Sequence, residues 1–308
     1  MKQRDTNERK IKVLVHLLVV SILALIVGCT SDKSDAKNLS SQPLRTKPVN
    51  IIVIVDTSDR VSKTRNPLQV EKDIKITKNI VNIFEEKFVR PKLYIGSKDT
   101  IAFVIPEQEA PVIPQKTLEN LKIWRTPQQR AGGAPEFKKM KMKLLGAIDQ
   151  LYQSVDKQIE FTGSDIWKWF RDSAGVYLKP NTHNYIICLS DGYLDFNNDI
   201  QKDRPKVGNK TSYIPYSQVK KFRNTPNWKQ KFHTEGHGLL EIGEDFSSYN
   251  VKFLMVEITH RHMLDLEIIK EYWQTWLKSM GIADSQFLPT QDDPQIVIER
   301  IKEFISTE

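Results

Sequence analysis

Residues 50–62 read NIIVIVDTSDRVS. Ile51 to Val55 form an unbroken apolar run that stops at Asp56 and passes into Thr57, Ser58, Asp59 and Arg60. A short, continuous run rich in β-branched residues and bounded by polar residues is the pattern of a strand buried on both faces. Its carboxyl end delivers small oxygen-bearing side chains. Three chemistries use such an end: a metal site, a phosphate site, or a loop whose carboxylates cap backbone amides.

The same pattern recurs. NYIICLS, residues 184–190, is wholly apolar apart from its ends and stops at Asp191-Gly192, and VKFLMVEI begins at Val251. Amphipathic helices are predicted between these runs. One opens at Asn66-Pro67 and carries Leu68, Val70, Ile74, Ile80, Val81, Ile83, Phe84 and Phe88 at helical spacing; another carries Met140, Leu144, Leu145, Ile148, Leu151 and Val155. A third opens at Ser164, and two close the chain, Leu264 to Met280 before Gly281 and Pro294 to Ile305 after the cap Asp293. KLYIGS and TIAFVIP read as a strand pair, and the proline-rich stretch from Glu107 to Glu136 as mostly irregular with a short helix near Leu118 to Ile123. Continuous apolar strands alternating with amphipathic helices predict an α/β fold: a doubly wound, mostly parallel, Rossmann-type three-layer sheet with helices on both faces. Ligands of such sheets bind outside the carboxyl ends of the strands. Asp56 and Asp191 therefore fall on one edge.

The amino terminus is of another kind. Lys2, Arg4, Arg9, Lys10 and Lys12 precede the apolar run VLVHLLVVSILALIVG, which ends at Cys29 and is shorter than the ~20 residues of an ordinary bilayer span. Ile26-Val27-Gly28-Cys29 resembles the lipobox of bacterial lipoproteins. That resemblance implies a signal peptide over 1–28, lipidation of Cys29, and a cell-envelope location; Thr30 after the cysteine points to the outer membrane, facing the periplasm or the surface. Residues 29–48, rich in Ser, Lys and Asp, read as a flexible tether. Residues 49–308 form the domain, with an insertion at about 196–249. Cys188 lies in an apolar strand, as a small buried hydrophobe does.

FTGSDIW adds Thr162, Ser164 and Asp165 at a helix start. Carboxylates and hydroxyls on three loops suit a hard divalent cation, which takes oxygen ligands and keeps several waters. Asp56-Thr57-Ser58-Asp59-Arg60 after an apolar strand, GSDI at 163–166 and CLSDG at 188–192 resemble, in order, the three motifs of the von Willebrand factor A domain and its metal-ion-dependent adhesion site. The resemblance spans roughly residues 49–306 and implies a weak Mg2+ or other divalent site from Asp56, Ser58, Ser164 and Asp191. It departs in two places: Ser164 replaces a threonine, which keeps a hydroxyl, and Arg60 replaces a serine ligand. A guanidinium cannot coordinate a cation and repels one nearby. Either Arg60 turns away, or it meets the carboxylates itself in place of a metal.

No serine elbow, phosphate-binding glycine loop or paired catalytic carboxylates appear in the sequence, and no organic cofactor is expected. His233, His237, His260 and His262 lack zinc-protease spacing and read as loop histidines. Within the insertion, Lys202 to His233 holds nine lysines and arginines against one acid, Asp203, interleaved with aromatic residues. It reads either as a solvated loop packed on the domain or as a surface for an acidic partner, with Arg60, Lys220, Lys221 and Arg223 as candidate contacts. Three functions follow as expectations. The first is a lipid-anchored envelope module binding a protein or acidic glycan; the second is a metal-dependent hydrolase using Asp56 and Asp191; the third is a purely structural lipoprotein. Nucleic acid is not an expected partner.

Overall fold

The computed structural model describes residues 47–62, 66–106, 113–155, 163–196 and 201–307. The signal segment, Cys29, nearly all of the tether, and Thr162 lie outside the described residues. Among the described residues, no helix is long and apolar enough to cross a membrane.

The strands are β1 (Val49–Val55), β2 (Thr100–Val104), β3 (Lys122–Ile123), β4 (His183–Leu189), β5 (Lys206–Val207), β6 (Lys210–Thr211), β7 (Gly238–Leu239), β8 (Val251–Ile258) and β9 (Asp284–Pro289). The helices are α1 (Pro67–Phe84), α2 (Gln115–Asn120), α3 (Pro127–Ala131), α4 (Gly133–Val155), α5 (Ile166–Asp172), α6 (Ala174–Tyr177), α7 (Tyr216–Arg223), α8 (Trp228–Thr234), α9 (Met263–Ser279) and α10 (Pro294–Phe304). A six-stranded sheet runs in the order β3-β2-β1-β4-β8-β9, parallel except for β3. The fold is thus the expected doubly wound α/β sheet.

Alternate residues of β1 feed two cores. Ile51, Val53 and Val55 meet α1, α4 and α10 through Ile80, Phe84, Leu144, Ile148, Val297 and Ile301. Ile52 and Ile54 meet α5 and α9 through Ile166, Phe170, Ile269, Trp273 and Trp276. Every residue of β1 is buried, which is why the run had to be apolar throughout. The polar exception, Asn50, is paired across the sheet: its amide donates to Asn184 Oδ1 at 2.8 Å and its Oδ1 accepts from Thr100 Oγ1 at 2.7 Å.

Two expectations are corrected, and several strands went unannounced. KLYIGS is not a strand: α1 loosens into a π turn at Glu85–Val89 and a 3-10 turn at Arg90–Lys92, and Leu93 and Tyr94 take left-handed φ of 51° and 63°. Tyr94 is fixed there by its hydroxyl on Glu85 Oε1 at 2.9 Å and its ring against Phe137. The stretch before Glu136 is more ordered than its prolines suggested, because Thr126 and Gln129 form a reciprocal capping box for α3, and α4 begins at Gly133 rather than near Met140. Finally, β9 and the small β5-β6-β7 sheet of the insertion had no apolar run to announce them.

Candidate functional site

The direction of strand order reverses between β1 and β4, since β2 and β3 lie to one side of β1 and β8 and β9 beyond β4. Such a switch point opens a crevice at the carboxyl ends. Val55 pairs with Leu189, so Asp56 and Asp191 leave neighbouring strands at nearly the same height. Asp56 is buried. Its N–H donates to Leu189 O at 3.0 Å, its Oδ1 accepts from Ser58 N at 2.9 Å, and its Oδ2 accepts from Ser190 Oγ at 2.8 Å.

Asp191 is half-buried and its Oδ1 accepts from Tyr193 N at 3.0 Å. Each carboxylate thus caps one amide of its own turn, as a purely structural loop would have it. Yet no donor among the described residues reaches Asp191 Oδ2. Burial, and then the charge of Asp56, push the Asp191 carboxyl up to about 7, against the opposing Tyr193 amide. Two carboxylates sharing one crevice resist joint ionisation.

Gly192 makes this turn possible. Its φ is +90°, and a Cβ there would stand 2.8 Å from Ile269 Cγ2. Its carbonyl accepts from Trp273 Nε1 at 2.9 Å, which ties the turn to α9.

Arg60 resolves the sequence alternatives by turning away from the edge. Its Nη1 and Nη2 donate to the two oxygens of Asp73 on α1 at 2.7 and 3.0 Å, and Nη1 also reaches Asp56 O at 3.2 Å. Burial opposes its charge, but Asp73 outweighs burial and holds the pKa above the ordinary arginine value. Arg60 is only 6% exposed, so its expected role as a partner contact is corrected. Below it, Gln69 Nε2 bridges Asp73 Oδ1 at 2.8 Å and Glu257 Oε2 at 3.0 Å, and Lys72 and Thr290 also donate to Glu257. Glu257 itself is buried with a φ of 68°, a left-handed value that costs a non-glycine residue energy.

Ser164 reaches the same edge from the loop before α5. A Cβ on Gly163, whose φ is +97°, would meet Asp195 O at 2.3 Å, so this loop lies flush against the one leaving β4. Ser164 is buried and its Oγ has no hydrogen-bond partner among the described residues; the same holds for Thr57 Oγ1. Ser58 is half-buried, with its amide on Asp56.

These groups fit a hard cation in kind: oxygen donors only, an orphaned hydroxyl, and a carboxylate pair whose repulsion a cation would relieve. Asp56, Ser58, Ser164 and Asp191 would hold it. Among the described residues no cluster of three or more His, Cys, Asp or Glu side chains is grouped as metal ligands.

The insertion's aromatics serve packing. Phe222 and Phe232 are buried against Tyr272 at 6.2 and 4.8 Å between centroids. Lys220 and Lys221 are exposed on α7. Arg223 is different: its Nη1 donates to both oxygens of fully buried Asp265, at 3.2 and 2.9 Å, and so pins α7 to α9. It is thus a structural ion pair, unlike the exposed lysines beside it. Tyr216 and Tyr193 stand edge to face at 6.0 Å, with Arg261 over Tyr216, and form a rim beside Asp191.

His233 pairs with Glu271, His237 with Glu235, and His262 caps α9 through Leu264 N. Cys188 is fully buried. Sequence reasoning missed Asp73, although its place with Val70, Thr77 and Ile80 on the buried stripe of α1 was a signal: a carboxylate on an apolar face needs a partner. It also missed Arg204, whose partner Asp165 lies 39 residues earlier in the chain, beyond β4.

No protein-family model and no curated protein matches the sequence. Solved structures give weak likenesses. Proximal thread matrix protein 1 from the mussel byssus aligns at 11% identity and a TM-score of 0.35 over 84% of this chain and 48% of its own. The N-terminal domain of TFIIH p34 aligns at 12% identity and a TM-score of 0.35 over 83% and 97%. The pilus adhesin SpaC from Lactobacillus rhamnosus GG aligns at 12% identity and a TM-score of 0.40 over 84% and 30%. The chain therefore spans about half the length of the byssus protein it matches.

Proposed function

We propose that the protein is a lipid-anchored envelope module of von Willebrand factor A type, binding a protein or acidic glycan at the crevice between β1 and β4, with a weakly held divalent cation completing the surface. The observation that carries this reading is the Asp191 carboxyl, set beside Asp56 at the ends of neighbouring strands, with one oxygen that no donor among the described residues reaches. A cation supplies the charge that this pair lacks. Only two carboxylates contribute, so the ion keeps several waters and is held loosely, which suits an ion shared with a partner's oxygen. The Ser164 hydroxyl, buried without a partner, supplies a further neutral ligand.

Titration calorimetry with Mg2+ at pH 6 to 8 tests the cation. Saturable binding with a Kd on the order of millimolar is expected. Protons should be released below pH 7, where the Asp191 carboxyl must ionise to bind. Asp191→Asn should abolish both. Nanomolar affinity, or heats unchanged by Asp191→Asn, would refute the site. Anchoring is tested separately: Cys29→Ser should move the protein from the membrane to the soluble fraction, since stable anchoring takes the lipid chains.

A further inference from the structure

Arg204 is held rigidly by two contacts. Its Nη1 donates to Asp165 Oδ2 at 2.6 Å, and its guanidinium lies 3.9 Å from the centre of the Phe196 ring. Asp165 is itself fixed, since its Oδ1 caps α5 by accepting from Lys168 N at 2.9 Å. The remaining guanidinium nitrogens, Nε and Nη2, are buried and have no hydrogen-bond partner among the described residues. These two nitrogens share one edge of the planar group, and their N–H bonds run parallel. That edge is the fork that takes two oxygens of a carboxylate or phosphate. Arg60, by contrast, places both terminal nitrogens on the two oxygens of Asp73. Arg204 instead meets its carboxylate with one nitrogen and leaves the better edge unused, a costly arrangement for a buried charged group.

A third buried group without a partner among the described residues, the Ser164 Oγ, lies next in the chain to Asp165. Gly163 rests on the Asp195 carbonyl and the Phe196 ring, so the Ser164–Asp165 turn and the Phe196–Arg204 pair form one assembly at the end of β4. Asp165 offsets the charge of Arg204, and the exposed Asp195 adds a second carboxylate nearby. These carboxylates keep the net charge near the fork small, so anion binding is weak and depends on fork geometry, and any cation bound at Asp56 and Asp191 strengthens it.

We infer that Arg204 and Ser164 form an oxyanion subsite on the rim of the crevice, taking a carboxylate or phosphate group of the partner through Arg204 Nε and Nη2. The inference rests on the crevice being a binding surface but not on a metal. The test is thermal unfolding of the full chain in detergent, followed by tryptophan fluorescence, with inorganic phosphate or acetate added against chloride at equal ionic strength. Both anions should raise Tm saturably, with half-effects at roughly 1–20 mM. Phosphate acting at lower concentration than acetate points to a phosphorylated partner, and the reverse to a carboxylate. Arg204→Lys keeps the charge beside Asp165 but removes the fork. It should retain the basal Tm and raise the half-effect concentration at least tenfold. Ser164→Ala gives a second variant, expected to weaken the response without abolishing it, should the lysine form fold poorly. Asp191→Asn should keep the anion response while losing that to Mg2+, which separates failure of the cation site from failure of this one. No stabilisation beyond chloride, or equal stabilisation of the Arg204→Lys and wild-type chains, overturns the subsite.

Discussion

Arg60→Ser restores the residue that the adhesion-site resemblance would place at this position, a change that on ligand chemistry alone would favour a cation. The geometry leads to a different outcome. Arg60 neutralises Asp73, which is fully buried, through two hydrogen bonds of 2.7 and 3.0 Å, and it also donates to the Asp56 carbonyl. With the guanidinium gone, Asp73 keeps only Gln69 Nε2 at 2.8 Å and the distant Tyr152 hydroxyl at 3.4 Å. Removing one member of a buried pair typically costs about 3–5 kcal/mol, because the other charge is left uncompensated. At about 2–4 °C per kcal/mol for a domain of this size, Tm should fall by roughly 6–20 °C. Urea unfolding followed by tryptophan fluorescence gives the free energy directly, since Trp273 and Trp276 are buried in the core. The companion variant Arg60→Met with Asp73→Leu removes both charges, and should recover most of the loss because apolar replacements of a buried pair are often neutral or better. A single Arg60→Ser within about 0.5 kcal/mol of wild type, the scatter of ordinary surface changes, would refute the account of this pair. So would a double variant no more stable than the single one.

The remaining predictions concern the crevice and the insertion. Asp191 has a folded pKa raised to about 7, so its contribution is fully present below the unfolded carboxylate value near 4 and is lost as pH rises through 7. Asp191→Asn should therefore leave stability unchanged at pH 4 and raise it by about 1–2 kcal/mol at pH 8, after a discount for partial solvent contact; a gain that is equal at both pH values would contradict the shift. Arg223→Glu leaves buried Asp265 facing a like charge and should lower stability by at least about 3 kcal/mol, while Lys220→Glu and Lys221→Glu on the exposed face of α7 should each stay within about 0.5 kcal/mol. Chemical denaturation of the three single variants distinguishes them, and equal effects would remove the distinction between ion pair and surface charge.

What the sequence disclosed followed from burial on two faces. β1, β4 and β8 lie inside the sheet, must be apolar throughout, and so stand out as runs; once they are parallel, Asp56 and Asp191 have to share an edge. β9 lies at the sheet margin with a half-exposed, mixed sequence, and Lys92 to Ser97 resembles a strand only in composition: Tyr94 packs on Phe137, while Leu93 and Ile95 are exposed around a left-handed turn. Ser164 was legible as a hydroxyl at a helix start, but its lack of a partner was not. Arg60 and Arg204 were legible only as charges. Their meaning depends on Asp73 and Asp165, and no local spacing says that one guanidinium engages both terminal nitrogens while the other keeps its fork free.

Cys188 sits in the middle of the sheet between β1 and β8, fully enclosed, with its thiol pushed well above its usual range by burial and then by the negative charge of Asp56. The sequence holds one other cysteine, Cys29. An acylated Cys29 would leave the protein with a single thiol, and that thiol reacts only when the sheet parts. Modification by a small alkylating reagent then becomes a stopwatch for separation of the central strands, read by mass in intact cells. A ligand that closes the crevice above Asp56 and Asp191 would slow it, so occupancy of the site could be followed in its native membrane before the partner has been isolated.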